Sequence, residues 1–237
     1  MLPGYDEVAA LFHEYDVDVS RETYEKMEKY AAFLVEYNEK VNLTAVTDAD
    51  GILKKHFLDS MLLAAKCASY LPEGAKVLDI GSGAGFPGVP LGMIRPDLHI
   101  TLLDSLNKRI VFLEQVRDLV GGTFTAMHGR AEEFAKKPDY REQFDAVTAR
   151  AVAALPMLAE YSLPYVKTGG YWLSMKGPSE ELKPALQAIR MLGGHAEEPI
   201  RYALPGGDER VIYVVKKCSN TPTKYPRNSG QIKQKPL

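Results

Sequence analysis

The chain has 237 residues, of which 46% are hydrophobic and 25% are charged, with a net charge of -2. These values are typical of a globular protein that buries one sizeable core. Acidic residues interrupt every short apolar run near the N-terminus, and no run reaches 18 apolar residues. We therefore expect a cytoplasmic protein without a signal peptide or membrane segment. Cys67 and Cys218 have no ligand-spaced neighbours, so neither a disulfide framework nor a metal site is expected.

The first seventy residues have helical patterning. Ser20 can cap a segment in which apolar residues recur at helical spacing on one face, from Tyr24 to Val41. A second segment, from about Asp48 to Tyr70, repeats this pattern. We therefore expect an N-terminal helical cap over residues 1–72.

From Gly74 onwards, short β-rich segments alternate with helical stretches. The predicted strands cover 76–80, 99–104, 123–128, 144–149 and 170–176. This alternation predicts βαβ units and a parallel sheet. The later segments "EEPIRYAL" and "ERVIYVVKK" flank a "PGGD" turn, which predicts an antiparallel hairpin. For residues 73–218 we expect a seven-stranded, mostly parallel α/β sheet that ends in this hairpin.

The stretch "VLDIGSGAGFPG", residues 77–88, allows two interpretations. Gly81, Gly83 and Gly85 give the spacing GxGxG, whereas a frame that ends at Gly88 gives the dinucleotide fingerprint GxGxxG. Glycine lets the backbone approach a ligand closely in either case. Asp104 at the end of the second predicted strand could accept hydrogen bonds from both ribose hydroxyls, which also fits either cofactor.

Three features favour S-adenosylmethionine over a nicotinamide dinucleotide. Pro87 and Pro90 fall where a dinucleotide-binding helix should begin. Asp79 would repel a pyrophosphate but could hold the ammonium of an amino-acid moiety. The terminal hairpin is characteristic of the Rossmann-like, class I fold of S-adenosylmethionine-dependent methyltransferases. A nicotinamide cofactor, or a loop that binds nothing, remains an alternative. The expected cofactor-binding residues of this region are Asp79, Gly81, Ser82, Gly83, Gly85, Phe86 and Asp104.

Several longer motifs make the sequence recognisable. They are "NEKVNLTAV" (38–46), "KHFLDS" (55–60), "DIGSGAGFPGVPL" (79–91), "LLDSLNKRIVFL" (102–113), "GRAEEF" (129–134), "FDAVTARAVAAL" (144–155) and "TKYPRNSGQIKQKPL" (223–237). With these motifs the chain resembles, almost end to end, the bacterial small-subunit ribosomal RNA methyltransferase family RsmG, also called GidB. The resemblance implies methylation of N7 of a guanine in the 530 loop of 16S ribosomal RNA. It also implies a cofactor site at Gly81, Phe86, Ala131, Glu132 and Arg150.

Guanine N7 chemistry needs no general base. N7 carries a lone pair in the neutral base, and the departing thioether needs no proton. The stretch "TARAVAAL" after the fourth predicted strand offers no Asn-Pro-Pro-Tyr motif for binding an exocyclic amine. We therefore expect Arg150 to act by positioning the cofactor and the target base.

The last 22 residues contain six Lys or Arg residues and no Asp or Glu. This predicts a basic tail, residues 219–237, that contacts phosphates, with Tyr225 stacking on a base. Six phosphate contacts would give a salt slope of about -4. A disordered tail that only confers solubility is the alternative. The expected RNA-binding residues are Asn42, His56, Lys108, Arg109, Lys176, Lys224, Tyr225 and Arg227.

Other interpretations stay open at this level. His56 and Asp59 share one face of the second predicted helix and either face the RNA or the cofactor cleft, or make a structural hydrogen bond. A small-molecule methyltransferase would be expected to have a substrate lid instead of a basic tail. A methyltransferase-fold RNA-binding assembly factor would need no cofactor. We expect a monomer that acts on 16S ribosomal RNA or on the small ribosomal subunit.

Overall fold

The computed structural model describes residues 1–237 and contains one sheet of eight strands. The strands are Lys76–Ile80 (β1), His99–Asp104 (β2), Thr125–His128 (β3), Phe144–Arg150 (β4), Val166–Lys176 (β5), Gly194–Ala196 (β6), Ile200–Ala203 (β7) and Glu209–Lys217 (β8). The order is β3-β2-β1-β4-β5-β8-β6, with β7 also paired to β8. Strands β1 to β5 are parallel, and β8 runs antiparallel to β5. The predicted fold class is confirmed.

The edge strand differs in detail from the expectation of seven strands. Both β6 and β7 pair antiparallel with β8, at Gly194↔Lys217 and at Ile200↔Ile212. Between them the amide of Glu197 still donates to the carbonyl of Val214 at 2.9 Å. One strand position is therefore filled by two short segments, and the sheet has seven positions.

Ten α-helices surround the sheet. They are Tyr5–His13 (α1), Arg21–Val41 (α2), Ala49–Gly51 (α3), Asp59–Lys66 (α4), Gly88–Ile94 (α5), Asn107–Val120 (α6), Ala131–Phe134 (α7), Leu155–Ser162 (α8), Leu186–Met191 (α9) and Ser229–Gln234 (α10). The Ser20 hydroxyl accepts a hydrogen bond from the amide of Thr23 at 3.1 Å, so Ser20 caps α2 as predicted. No helix combines the length and the hydropathy that a membrane span requires.

The second predicted helix is not a regular α-helix. A π-helical segment, Ile52–Leu58, connects α3 to α4, and a 3-10 turn, Ala68–Tyr70, follows. π-helical turns such as Ile52–Leu58 occur frequently at functional sites. This segment contains Lys55 and His56, which both contact Arg150.

The N-terminal helices and the sheet share one hydrophobic core. Tyr30, Leu34 and Phe57 are fully buried in the same cluster as Val77 of β1 and Leu102 of β2. Residues from α8, α9 and β5 form a second cluster, which includes Trp172 and Leu158. The helical cap is therefore packed directly onto the sheet, close to the carboxyl ends of its strands.

The C-terminal segment, residues 219–237, is packed on the protein surface. Tyr225 and Ile232 are buried, and the guanidinium of Arg141 donates to the carbonyls of Thr221 at 2.7 Å and Tyr225 at 2.9 Å. The alternative of a disordered tail does not fit this structure.

Candidate active site

The glycine loop after β1 needs glycine for conformation and for space. Gly81, Gly83 and Gly85 have φ values of 67°, 59° and 92°, the left-handed region in which side chains are strained. A Cβ atom at Gly81 would lie 2.7 Å from a methyl group of Val152, and one at Gly85 would lie 2.7 Å from the hydroxyl of Tyr30. The loop therefore leaves bare backbone at the end of β1.

Asp79 lies beneath this loop and is fully buried. Its Oδ2 accepts a hydrogen bond from the amide of Gly88 at 3.1 Å, whereas Oδ1 has no partner. Burial raises the pKa of Asp79 to about 7, although the Gly88 amide and the charge of Arg150 act in the opposite direction. An unpaired buried carboxylate oxygen is rare, and here it fits a site for a cationic group. The buried Ser82 hydroxyl donates to the backbone carbonyl of Asp79 at 2.9 Å.

Asp104, at the end of β2, braces the loop. Its Oδ2 accepts from the amide of Gly83 at 2.9 Å and from Arg109 at 3.1 Å, and its Oδ1 accepts from the amide of Leu106 at 2.9 Å. A carboxylate oxygen accepts about two hydrogen bonds, so one position on Oδ1 is left. The expected capture of both ribose hydroxyls does not fit this arrangement unless one of the bonds breaks. Arg109, expected to contact RNA, is engaged with Asp104.

A cavity of 450 Å³ opens at the carboxyl ends of β1 to β4. This volume lies in the range of small-molecule sites. The loops contribute Gly81, Ser105, Val152 and Ala153, helix α7 contributes Ala131 and Glu132, and helices α8 and α10 contribute Met157, Tyr161, Ser229 and Lys233. Glu132 is buried in this wall. The structure thus brings together three of the predicted cofactor residues, Gly81, Ala131 and Glu132.

Phe86 and Arg150 lie behind the cavity wall. The Phe86 ring is buried and stacks on the rings of Tyr30 and His56, with centroid distances of 5.3 and 4.5 Å. The guanidinium of Arg150 lies 5.4 Å from the Phe86 ring centroid, a cation–π contact. The position of Phe86 therefore supports the loop and Arg150 and provides no part of the cavity wall.

Arg150, the last residue of β4, donates to three groups of the N-terminal helices. Its Nη1 lies 2.7 Å from the carbonyl oxygen of Lys55 and 3.0 Å from Oδ2 of Asp59, and its Nη2 lies 3.2 Å from Nδ1 of His56. Asp59 also accepts a hydrogen bond from the hydroxyl of Tyr202 at 2.8 Å. The arginine is thereby fixed between the sheet, the π-helical segment and the C-terminal hairpin.

This network sets the protonation state of His56. Because arginine only donates, Nδ1 of His56 must accept, which assigns the ring proton to Nε2, 3.0 Å from Oγ1 of Thr44. Burial, followed by the charge of Arg150, lowers the pKa of His56 to about 4. His56 is therefore neutral near pH 7, and both of its nitrogens are occupied. The alternative of a structural hydrogen bond describes its position better than direct RNA contact does.

Sequence reasoning missed two members of the network. Tyr202 lies on β7, 143 residues from Asp59 along the chain, and no local pattern connects the two. Thr44 follows α2 in a loop, where a hydroxyl carries no pattern of its own. The three-residue spacing of His56 and Asp59 was the one available signal, and it correctly placed both side chains on one side of the helix.

Besides Arg109 and His56, the structure corrects three more of the predicted RNA contacts. Lys176 is buried, where its Nζ donates to the carbonyl of Ala153 at 2.5 Å and pairs with Glu180 at 2.9 Å. The Tyr225 ring is packed in the core and cannot stack on a base from outside. Arg227 is paired with the buried carboxylate of Glu160.

Other predicted RNA contacts are on the surface. Asn42 ends α2 in the left-handed conformation, with φ 51°. Lys108 lies beside it, since its Nζ donates to the carbonyl of Val41 at 3.2 Å. Lys224 is exposed on the C-terminal segment. The structure therefore brings Asn42 and Lys108 together.

The sequence matches the family model described as rRNA small subunit methyltransferase G, GidB, over residues 23–198. A relative from Clostridium novyi (strain NT), named ribosomal RNA small subunit methyltransferase G, is 45% identical over 98% of this chain and 97% of its own. A protein of the same name from Streptococcus pneumoniae (strain ATCC BAA-255 / R6) is 46% identical over 96% of this chain and 97% of its own.

Solved structures share the fold at low sequence identity. One is TYW2 of M. jannaschii in complex with AdoMet, 11% identical, with a TM-score of 0.52 over 67% of this chain and 76% of that one. The solved structure supports the fold alone, whereas the family match and the near full-length similarity to the two relatives identify the family. The chain belongs to the rRNA small subunit methyltransferase G family.

Proposed function

We propose that this protein transfers a methyl group from S-adenosylmethionine to N7 of a guanine in the 530 loop of 16S ribosomal RNA and releases S-adenosylhomocysteine. Family membership supports the ribosomal RNA substrate. The observation that carries the proposal is the cavity whose wall contains Gly81, Ala131 and Glu132 and also Val152, two residues after the half-buried Arg150. The cavity and the Arg150 network are thus adjacent along one loop.

The residues of the site fit the cofactor. Bare backbone at Gly81 would allow close approach of the methionine portion, and the unpaired Oδ1 of Asp79 would suit its ammonium, directly or through water. The Ala131 amide and the Glu132 carboxylate would meet the adenine. When bound, S-adenosylmethionine supplies an electrophilic methyl group. Asp104 would hold the loop in place, and the one acceptor position left on its Oδ1 would accept a hydrogen bond from a single ribose hydroxyl.

The groups around Arg150 suit a reaction without proton transfer. His56 is neutral with both nitrogens occupied, and both Asp59 oxygens accept hydrogen bonds. No side chain of this network is therefore free to act as a base, and guanine N7 needs none. Alignment of the reacting groups can lower a barrier by about 7 to 11 kcal/mol. Arg150, held by three acceptors, would supply part of that alignment.

RNA contact is proposed for the exposed cations. Lys224 and Lys108 are exposed and would contact phosphates, and Asn42 lies beside Lys108. Of the six cations among the last 22 residues, Lys217 is fully buried, Arg227 is ion-paired and Lys233 lines the cavity, so three remain for phosphates. This lowers the expected salt slope from about -4 to about -2, at roughly 0.7 for each phosphate contact.

The proposal is tested with labelled S-adenosylmethionine and unmethylated small subunits. After incubation, borohydride and aniline cleave the RNA at 7-methylguanosine, and the cut should fall in the 530 loop. Label at another site contradicts the proposed target. No label, together with no binding of S-adenosylhomocysteine, would favour the assembly-factor alternative. Naked 16S RNA as a parallel substrate decides between the two proposed forms of the partner.

A further inference from the structure

The C-terminal helix α10 lines the same cavity as the glycine loop. Ser229 and Lys233 of α10 form part of the wall, together with Gly81 and Ala131. We propose that the C-terminal segment, residues 219–237, is a structural part of the cofactor site, and that Ser229 and Lys233 contact the cofactor. This inference rests on the proposed function, since it takes S-adenosylmethionine as the ligand of the cavity.

A buried ion pair holds this segment on α8. Glu160 of α8 is fully buried, and its carboxylate accepts from the amide of Arg227 at 2.8 Å, from Nε at 3.0 Å and from Nη2 at 2.7 Å. Loss of either partner of such a pair leaves an uncompensated buried charge, which is strongly destabilising. Because α8 also contributes Met157 and Tyr161 to the cavity, the ion pair fixes two walls relative to each other.

A second set of contacts fixes the start of the segment. Arg141 donates to the main-chain carbonyls of Thr221 and Tyr225, and the amide of Thr221 donates to Glu142 at 2.6 Å. The Tyr225 ring is buried among residues of the second core cluster. The segment therefore reaches α10 along a fixed path, and its shape is set before any ligand binds.

The orientation of α10 turns two side chains toward the cavity. Ile232 is fully buried, which fixes the rotation of the helix on the protein. Ser229 and Lys233 are four residues apart, so they lie on one face of α10, and both line the cavity. Asn228 caps this helix, since its side chain accepts a hydrogen bond from the amide of Gln231 at 2.9 Å.

The chemistry of these side chains suits a nucleoside. A hydroxyl and an ammonium supply hydrogen-bond donors for ring nitrogens and ribose oxygens, and they complement the acceptor Glu132 in the same wall. The segment thus has a role in cofactor affinity that is separate from its positive charge. RNA that contacts the exposed Lys224 would touch the same segment that encloses the cofactor.

The test is the affinity for S-adenosylhomocysteine, measured by calorimetry on the full-length protein without RNA. Ser229→Trp should weaken binding at least tenfold by filling the cavity, and Lys233→Ala and Arg227→Ala should weaken it several-fold. Gln234→Trp adds the same bulk at an exposed position of α10 outside the cavity, and it should bind like the wild type. Amide hydrogen exchange of residues 219–237 should slow when the ligand is added.

The outcomes separate this inference from the proposed function. If the wild type binds and Ser229→Trp binds within threefold of it, the wall assignment is overturned. If the wild type itself does not bind, the proposed cofactor is wrong, whatever the variants do. Ser229 is only partly buried, so its replacement decides the question even if Arg227→Ala fails to fold.

Discussion

Arg150 and Asp59 form an ion pair between the sheet and the N-terminal helices. Nη1 of Arg150 lies 3.0 Å from Oδ2 of Asp59, and only 16% and 4% of the two side chains are exposed. A pair this well buried is costly to break, at about 3 to 5 kcal/mol when one partner is removed. The pair therefore couples the orientation of Arg150 beside the cavity to the packing of the helical cap.

Arg150→Ala should abolish most methyl transfer and still leave a folded protein. Asp59 would keep the hydroxyl of Tyr202 and the guanidinium of Arg210, 3.8 Å away, as partners. We expect a rate loss on the order of 100-fold, the effect of a small misalignment of reacting groups. Single-turnover transfer to small subunits measures the rate, and urea unfolding measures stability. The control is Arg117→Ala, which removes the exposed ion pair with Asp118 and should leave the transfer rate unchanged. Wild-type transfer by Arg150→Ala would show that the arginine is only structural.

Tyr202→Phe should slow transfer although Tyr202 lies on the terminal hairpin. The variant leaves Oδ1 of the buried Asp59 without its 2.8 Å hydrogen bond, which costs about 1 to 3 kcal/mol of stability. Because the effect passes through Asp59 and Arg150, turnover should fall while the affinity for S-adenosylhomocysteine stays unchanged. Tyr37→Phe, whose ring packs against Phe112, is the matched control. Equal loss of turnover and of affinity would indicate general unfolding instead of positioning.

His56 should make stability depend on pH below neutrality. Its folded-state pKa is lowered to about 4 from an ordinary value of 6.5, so between these values the unfolded chain binds a proton that the folded protein does not. Stability is therefore fully present above pH 6.5 and is lost as the pH falls toward 4, by up to about 3 kcal/mol. His56→Gln should flatten this part of the profile in urea unfolding between pH 4 and 7. The exposed His195→Gln, a histidine without an ion pair, should leave it unchanged.

The repeating elements of the fold were predictable because they depend on local periodicity. Strands β1 and β2 begin and end where the β-rich runs do, and Ser20 caps α2 as its position indicates. The π-helical segment was not predictable, since its apolar spacing also suits an α-helix. The division of the edge strand into β6 and β7 was not predictable either, because it depends on how both segments pair with β8.

The site was predictable in type and less so in detail. Gly81, Ala131 and Glu132, which the family resemblance assigns to the cofactor, line one cavity, and their contact with the cofactor stays a prediction. Positive charge near the C-terminus suggested RNA contact, but charge alone does not reveal a buried partner. Glu160 is 67 residues away along the chain, and its ion pair with Arg227 attaches the C-terminal segment to α8. Tyr225 is buried in the same packing.

Salt dependence should distinguish accessible cations from anchored ones. Lys224→Ala should lower the absolute salt slope of RNA binding by about 0.7, the value of one phosphate contact. Lys217→Met should leave the slope unchanged, because its Nζ is bonded to the carbonyls of Leu163 and Val166 inside the protein. Filter binding between 50 and 200 mM salt gives both slopes. A slope unaffected by Lys224→Ala would remove this lysine from the RNA surface.

Asp79 should give a pH dependence of the opposite sign to that of His56. Its folded-state pKa is raised to about 7 from 3.8, so between these values the folded protein holds a proton that the unfolded chain has lost. Stability therefore falls as the pH rises from about 4 to 7, by up to about 4 kcal/mol, and the two residues partly cancel in the wild type. Asp79→Asn cannot ionise, so it should gain stability relative to the wild type at pH 8 and not at pH 4.

Ligand binding provides an independent measurement of the same carboxyl group. A cationic ammonium near Oδ1 favours the ionised form, so S-adenosylhomocysteine should release a proton from Asp79 when it binds at pH 6. Calorimetry in buffers of different ionisation enthalpy measures this release, and Asp79→Asn should abolish it. The exposed Asp118→Asn serves as the control in both experiments. Parallel stability profiles for Asp79→Asn and the wild type, with no proton release in either, would show that Asp79 is ionised in the free protein and does not titrate near neutrality.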